Sequence, residues 1–211
     1  MTSLYLVRHG ETDWNAERRI QGSTDIPLNR MGKEQAAATG RLLARRSWDG
    51  AFSSPLSRAL ETATIIANAV GLVEVGTMDA IVERNYGEAE GLDWQEIDRL
   101  FPGDAEVPGR ESHQDVADRV VPALLELAAS RRGQSLIVVT HGGVIRSVLN
   151  AVQPDRWHGS ITNGSIHSFE VVDGSLELVA FDDPIEELSM ECGTDGLDEQ
   201  NAVESRETMR G

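Results

Sequence analysis

The sequence predicts an α/β layered fold with a mostly parallel central sheet. Three observations carry that expectation. The runs "SLYLVRH" and "SLIVVTHGG" are short and almost continuously apolar, as strands buried on both faces are. Segments with helical apolar spacing alternate with the strand-like ones, as crossover connections between parallel strands require. Both buried runs also end on a histidine and a glycine, as "RHG" and "THGG", rather than on ordinary turn residues. Parallel sheets bind ligands beyond the carboxyl ends of their strands, so those endings are candidate functional positions.

Each element can be justified in order. The first strand is expected at 3–9. "MGKEQAAATGRLLARR" (31–46) has helical spacing, with Asn29 placed to cap it and two arginines in its last turn. "WDGAFSS" (48–54) reads as a short strand. "LSRALETATIIANAVG" (56–71) reads as a helix that follows Pro55 and stops at Gly71. The stretch 87–110 is the least regular inside the chain and is expected to form a lid or insertion. A helix over 112–133 should kink at Pro122. The second buried strand begins at Ser135, and a helix is expected over 144–152. The segment 165–181 reads as a hairpin turning at Asp173-Gly174. No internal repeat or linker interrupts this pattern, so one domain over 1–181 and an acidic tail over 182–211 are expected.

Composition narrows the function. At 211 residues the chain can bury a real core, and 40% hydrophobic with 26% charged residues is ordinary for a globular protein. The net charge of −16 is not ordinary; the tail from Asp182 onward holds ten acids against two arginines. So acidic a chain, without a basic stripe, is not expected to bind nucleic acid or an anionic membrane. The one cysteine, Cys192, can make neither an internal disulfide nor a multi-thiolate metal site. No apolar stretch reaches the ~20 residues of a spanning helix. "MTSLYLVRHG" lacks a basic leader region. A cytoplasmic setting is the expected one, and no pattern specifies an oligomeric state.

The chemistry-bearing blocks are "LVRHGETDWN", "IQGSTDIPLNRMGKEQA", "FSSPLSRALETA", "ERNYGEAEG" and "VVTHGGVIR". In this order, from Leu4 to about Phe181, they resemble the histidine phosphatase superfamily, also called the phosphoglycerate mutase-like family. The resemblance implies a three-layer α/β/α sandwich and phosphoryl chemistry on a small phosphorylated metabolite, with no cofactor. It makes His9 the nucleophile, through a phosphohistidine that splits hydrolysis into two easier steps. For that, His9 must be unprotonated on its attacking nitrogen, with the other nitrogen donating to a fixed acceptor such as a backbone carbonyl. Arg8 and Arg58 match the family's two phosphate-gripping arginines, whose forked donors a lysine cannot reproduce. His141 matches the second histidine, a donor to a phosphoryl oxygen. Asn15 is expected to add a neutral donor, and Gln21 and Gly22 to border the pocket. Glu83 matches the acid that protonates the leaving oxygen and later deprotonates water, with Glu88 as its acidic rival.

Other polar residues read more simply. His113, His158 and His167 match nothing in the resemblance and are expected to be structural or on the surface. Arg18 and Arg19 are expected to be solvated. No H-x-H, H-E-x-x-H or clustered carboxylate spacing points to a metal. Within the resemblance, cofactor-dependent mutases have a longer, basic central insertion and follow the second histidine with Gly-Asn-Ser-Leu. Here the central stretch is short and acidic, and the histidine is followed by "GGVIR". The expectation is a phosphatase, with a mutase as the alternative and a non-catalytic phosphate-binding relative behind it.

Overall fold

A computed structural model describes residues 1–183 apart from 104, 155, 157 and 158. His158, Cys192 and all of the acidic tail beyond Asp183 lie outside the described residues. In chain order the elements are β1 (Thr2–Arg8), α1 (Asp13–Ala16), α2 (Arg30–Leu43), β2 (Gly50–Ser53), α3 (Ser57–Val70), β3 (Val75–Thr77) and α4 (Trp94–Leu100). They continue with α5 (His113–Ser130), β4 (Ser135–Thr140), α6 (Gly142–Val152), β5 (Ile166–Val172) and β6 (Ser175–Ala180). The six strands form one sheet in the order β3-β2-β4-β1-β5-β6. The first four run parallel; β5 returns antiparallel to β1, and β6 antiparallel to β5.

The period of two in the central strands builds the layers. Leu4 and Leu6 of β1, with Leu136 and Val138 of β4, face a core completed by Val116, Val120 and Leu124 of α5 and Val144 and Val148 of α6. Val7, Ile137 and Val139 face the other way, onto Leu43 of α2 and Ala59, Ala63 and Ile66 of α3. Helices therefore cover both faces, and the α/β/α sandwich implied by the resemblance is what the chain forms. Each fully buried valine, leucine or isoleucine contributes about 1.5–3 kcal/mol.

Local chemistry sets the boundaries. Asn29 caps α2, its side chain accepting from the Gly32 amide. Gly71 ends α3 in the left-handed region, and α5 starts on a Ser112–Asp115 capping box and runs through Pro122. The hairpin turns at Asp173 and Gly174, at φ of 48° and 81°, the positive pair a two-residue turn demands. The structure adds α1 and β3, which the sequence reading does not contain, and alters two further elements. The helix after β4 begins at Gly142, two residues early, because the low helix propensity of a glycine pair conceals its start. The 87–110 stretch contains α4 and a 3-10 turn over Gly87–Ala89. It packs Ala89, Ile97 and Val107 with Ile20 and Tyr86 into a third apolar cluster.

Candidate active site

β1 and β4 are neighbours, so their carboxyl ends deliver Arg8-His9 and His141 side by side. The two imidazoles lie 5.1 Å apart, centre to centre, with planes at 63°. Ladder-like main-chain bonds fix them: the His9 amide donates to the Thr140 carbonyl at 3.0 Å, and the Arg8 amide to Ser165 at 3.1 Å. Gly10 turns the chain where it meets α2; a Cβ there would stand 2.2 Å from the Gly32 carbonyl oxygen.

The tautomer of His9 follows from its partner. Nδ1 lies 2.7 Å from the Gly10 carbonyl, which only accepts, so Nδ1 carries the proton and Nε2 the lone pair. Burial, then the charges of Arg58 and Arg8, push His9 well below the usual imidazole range, against the pull of that hydrogen bond. His141 is pushed down likewise, by burial and then by Arg58, His9, Arg8 and Arg119. Both rings are neutral at pH 7. His141 Nε2 is hydrogen-bonded to Ser54 Oγ at 2.8 Å.

Two arginines reach the site from different elements, Arg8 from β1 and Arg58 from α3. Arg8 donates to the Ile161 carbonyl at 2.6 Å, and its guanidinium passes over Gly142, where a Cβ would lie 3.3 Å from Nε. Arg58, in the first turn of α3, donates to the Gly22 carbonyl at 2.7 Å and to the Thr24 carbonyl at 3.0 Å. Burial lowers Arg58 to about 10 against the charges of Glu83, Asp25 and Glu90, so it stays a cation at pH 7.

Glu83 is buried in the loop after β3 and caps α6 from outside the helix. Its Oε2 accepts from the Gly143 amide at 3.2 Å, and its Oε1 from the amides of Val144 (3.1 Å) and Arg84 (2.7 Å). The early start of α6 supplies two of those donors, and the positive end of the helix faces the carboxylate. Arg119 braces this loop, donating to the carbonyls of Ala80 and Glu83 and to both oxygens of Glu111.

The neutral donors are gathered by hydrogen bonds at the start of α1. Thr12 Oγ1 lies 3.1 Å from Asn15 Oδ1 and 2.8 Å from Gln21 Oε1, so both amide groups turn their nitrogens elsewhere. Asn15 Nδ2, Gln21 Nε2, Arg58 Nε and His141 Nδ1 are buried and lack a protein partner among the described residues. The three side-chain donors among these, on Asn15, Gln21 and Arg58, are matched to an acceptor-rich group, such as a phosphate.

Residues 4–184 match the sequence profile of the histidine phosphatase superfamily, branch 1. The chain belongs to this superfamily. It is 40% identical over 184 residues to phosphoglycerate mutase-like protein 4 of Arabidopsis thaliana, covering 81% of this chain and 80% of that one. It is 37% identical over 179 residues to the metal-independent phosphoserine phosphatase of the same plant, covering 79% and 75%. Among solved structures it is similar to mycobacterial glucosyl-3-phosphoglycerate phosphatase in complex with VO3 (TM-score 0.77, 29% identity, 85% and 98% covered). It is equally similar to a histidine-to-alanine mutant of Entamoeba histolytica phosphoserine phosphatase in complex with phosphoserine (TM-score 0.76, 28% identity, 89% and 100% covered).

In this histidine phosphatase fold, Arg8, His9, Asn15, Gln21, Gly22, Arg58, Glu83 and His141 come together around one centre. Glu88, the acidic rival of Glu83, is exposed on the 3-10 turn. Arg18 is exposed too, whereas Arg19 is held by the Gly91 carbonyl and by Glu17. His167 is buried in β5, where it is hydrogen-bonded to Ser165 Oγ and accepts a bond from the Asp182 amide. His113 lies between Ser147 and Arg84. Ser54, Glu90 and Asn163 went unremarked in the sequence, yet each supports the centre. Asn163 donates to the His9 carbonyl at 2.9 Å. No spacing rule signals such residues, since each acts through bonds to residues distant in sequence. Among the described residues there is no group of three or more metal-ligating side chains, and no helix is long and apolar enough to cross a membrane.

Proposed function

We propose that the chain is a phosphomonoester hydrolase that works through a phosphohistidine on His9 and acts on a small phosphorylated metabolite. The observation that carries the reading is the Nδ1–H bond from His9 to the Gly10 carbonyl, with the ring held neutral. Together they leave Nε2 with its lone pair at working pH. Nε2 attacks phosphorus, the P–O ester bond breaks, and Glu83, which takes up a proton as the phosphate dianion binds beside it, gives that proton to the departing oxygen. Glu83 then takes a proton from water as that water attacks the phosphohistidine, the P–N bond breaks, and phosphate leaves. Arg8, Arg58, His141 and the amides of Asn15 and Gln21 face the phosphoryl oxygens and stabilise their charge. The arginines supply the cations, so the reading needs no metal. The phosphatases among its relatives support hydrolysis, and the phosphoserine complex of a histidine mutant supports a histidine in the reacting role. The single cysteine favours a reducing, cytoplasmic setting.

The test is hydrolysis of a panel of phosphorylated metabolites in EDTA, with rapid quench during turnover. An acid-labile, base-stable phosphoprotein is expected, absent in His9→Ala together with activity. Label surviving in that variant, or activity that needs an added divalent ion, overturns the mechanism. Fast primer-dependent interconversion of phosphoglycerates with negligible phosphate release would make the chain a mutase.

A further inference from the structure

Among the described residues, the hydrogen bonds of the Arg58 guanidinium go to two main-chain carbonyls, of Gly22 and Thr24, while the Asp25 carboxylate stands 3.9 Å away as a looser ion pair. What holds those carbonyls lies on the opposite side of the same loop. Glu90 Oε1 accepts from the Ser23 amide (2.9 Å) and hydroxyl (3.1 Å), and from the Tyr86 amide at 3.4 Å. Its Oε2 accepts from the Thr24 amide (3.0 Å) and hydroxyl (2.7 Å). One carboxylate thus gathers five donors, four of them from two consecutive residues. Gly22 permits the approach, because a Cβ there would stand 2.2 Å from Glu90 Oε1. The segment carrying Glu90 is itself anchored beside the loop, by bonds from Gly91 to Ile20 and from Ile20 to Leu92 at 2.9 Å.

We propose that Glu90 is a positioning residue for phosphate binding: it clamps the 22–24 loop so that the loop's carbonyls hold Arg58 against the phosphoryl group. The inference rests on the proposed function for what Arg58 grips. Two features support it. Burial raises the Glu90 carboxyl, but the bonds from Thr24 and Ser23 outweigh that and hold it below its ordinary value, so the clamp is charged. Glu90 is also one of three carboxylates whose charge offsets the burial of Arg58.

The experiment measures inorganic phosphate affinity by calorimetry and turnover of p-nitrophenyl phosphate in Glu90→Gln, Glu90→Ala, Thr24→Val and the control Glu88→Gln. Glu90→Gln should weaken phosphate binding roughly tenfold or more, the scale of losing charge-assisted hydrogen bonds, with thermal unfolding still cooperative. Thr24→Val, which removes one hydroxyl donor and keeps both amides, should lose about threefold and decides the matter if Glu90→Gln does not fold. In Glu90→Ala the donors are freed, and added formate should restore much of the lost affinity and turnover. Glu88→Gln should match the parent. Parental phosphate affinity in Glu90→Gln and Thr24→Val, or no formate response in Glu90→Ala, overturns the proposal. If the parent binds phosphate but hydrolyses no ester, the proposed function fails while the affinity comparison still decides this inference.

Discussion

The two halves of the candidate site are held by different means. His9 and His141 stand just beyond the tips of β1 and β4; main-chain bonds to Thr140 and Gly10 fix the backbone and tautomer of His9, and Ser54 Oγ holds the His141 ring. Arg58 and Glu83 depend instead on loops, and those loops are tied by side chains: Glu90 on one, Arg119 and Glu111 on the other. A sheet positions its residues collectively, so one neighbouring substitution moves them little. A loop positions its residues through a few named bonds, so one substitution a layer away can displace them.

That contrast can be broken at its strongest point first. Glu83→Gln keeps shape and loses the proton, and kcat on alkyl phosphates should fall about 10²–10⁴-fold. With p-nitrophenyl phosphate, whose leaving group needs little protonation, the loss should be far smaller. Equal losses on both substrates would remove Glu83 from acid duty. Next, Glu111→Gln weakens the carboxylate that orients Arg119 against the Glu83 loop. About a tenfold fall in kcat is expected with phosphate affinity unchanged, and an unchanged kcat would mean that the loop holds its own shape. The smallest effect belongs to the strand half: Asn163→Ala removes one bond to the His9 carbonyl and should cost about threefold in kcat/KM. A loss equal to that of Glu111→Gln would erase the distinction between the halves.

pH sharpens the comparison from another side. His9 and His141 are pushed below the usual imidazole range, so kcat/KM should not fall on the acid side near pH 6.5, where a free imidazole titrates, but only further down. Stability carries the opposite mark. Below about pH 6.5 the unfolded chain binds protons that the folded histidines refuse, so stability present above that pH is lost as pH falls. Each histidine contributes up to about 1.4 kcal/mol per pH unit in that window. A melting temperature flat from pH 7 to pH 5 would show that the two rings are protonated in the fold.

The strand half was also the half legible in the sequence. "SLYLVRH" and "SLIVVTHGG" announce their burial through unbroken apolar runs, and the residues that follow them fall where a parallel sheet exposes its strand ends. Asn29, Gly71 and the Asp173-Gly174 turn were legible for the same kind of reason, a local conformation that few residues satisfy. The stretch 87–110 was not. Its apolar residues pack against Ile20 and Tyr86 and leave no period of 2 or 3.6 along the chain. Glu90 is one acid among many in an acidic protein until its five donors, four of which lie more than sixty residues away by sequence, are seen.

The bond from His9 to the Gly10 carbonyl has a consequence for how the protein can change over time. Where a nucleophilic histidine is oriented by another side chain, a single codon can remove the partner and retune the ring. Here the acceptor is the peptide oxygen of the very next residue, which no substitution deletes. Only a shift in the path of the main chain could move it, and that path is pinned where Gly10 meets Gly32. Mutation can therefore reshape the loops around the reacting nitrogen, and with them the choice of substrate, while the protonation pattern of that nitrogen is inherited unchanged.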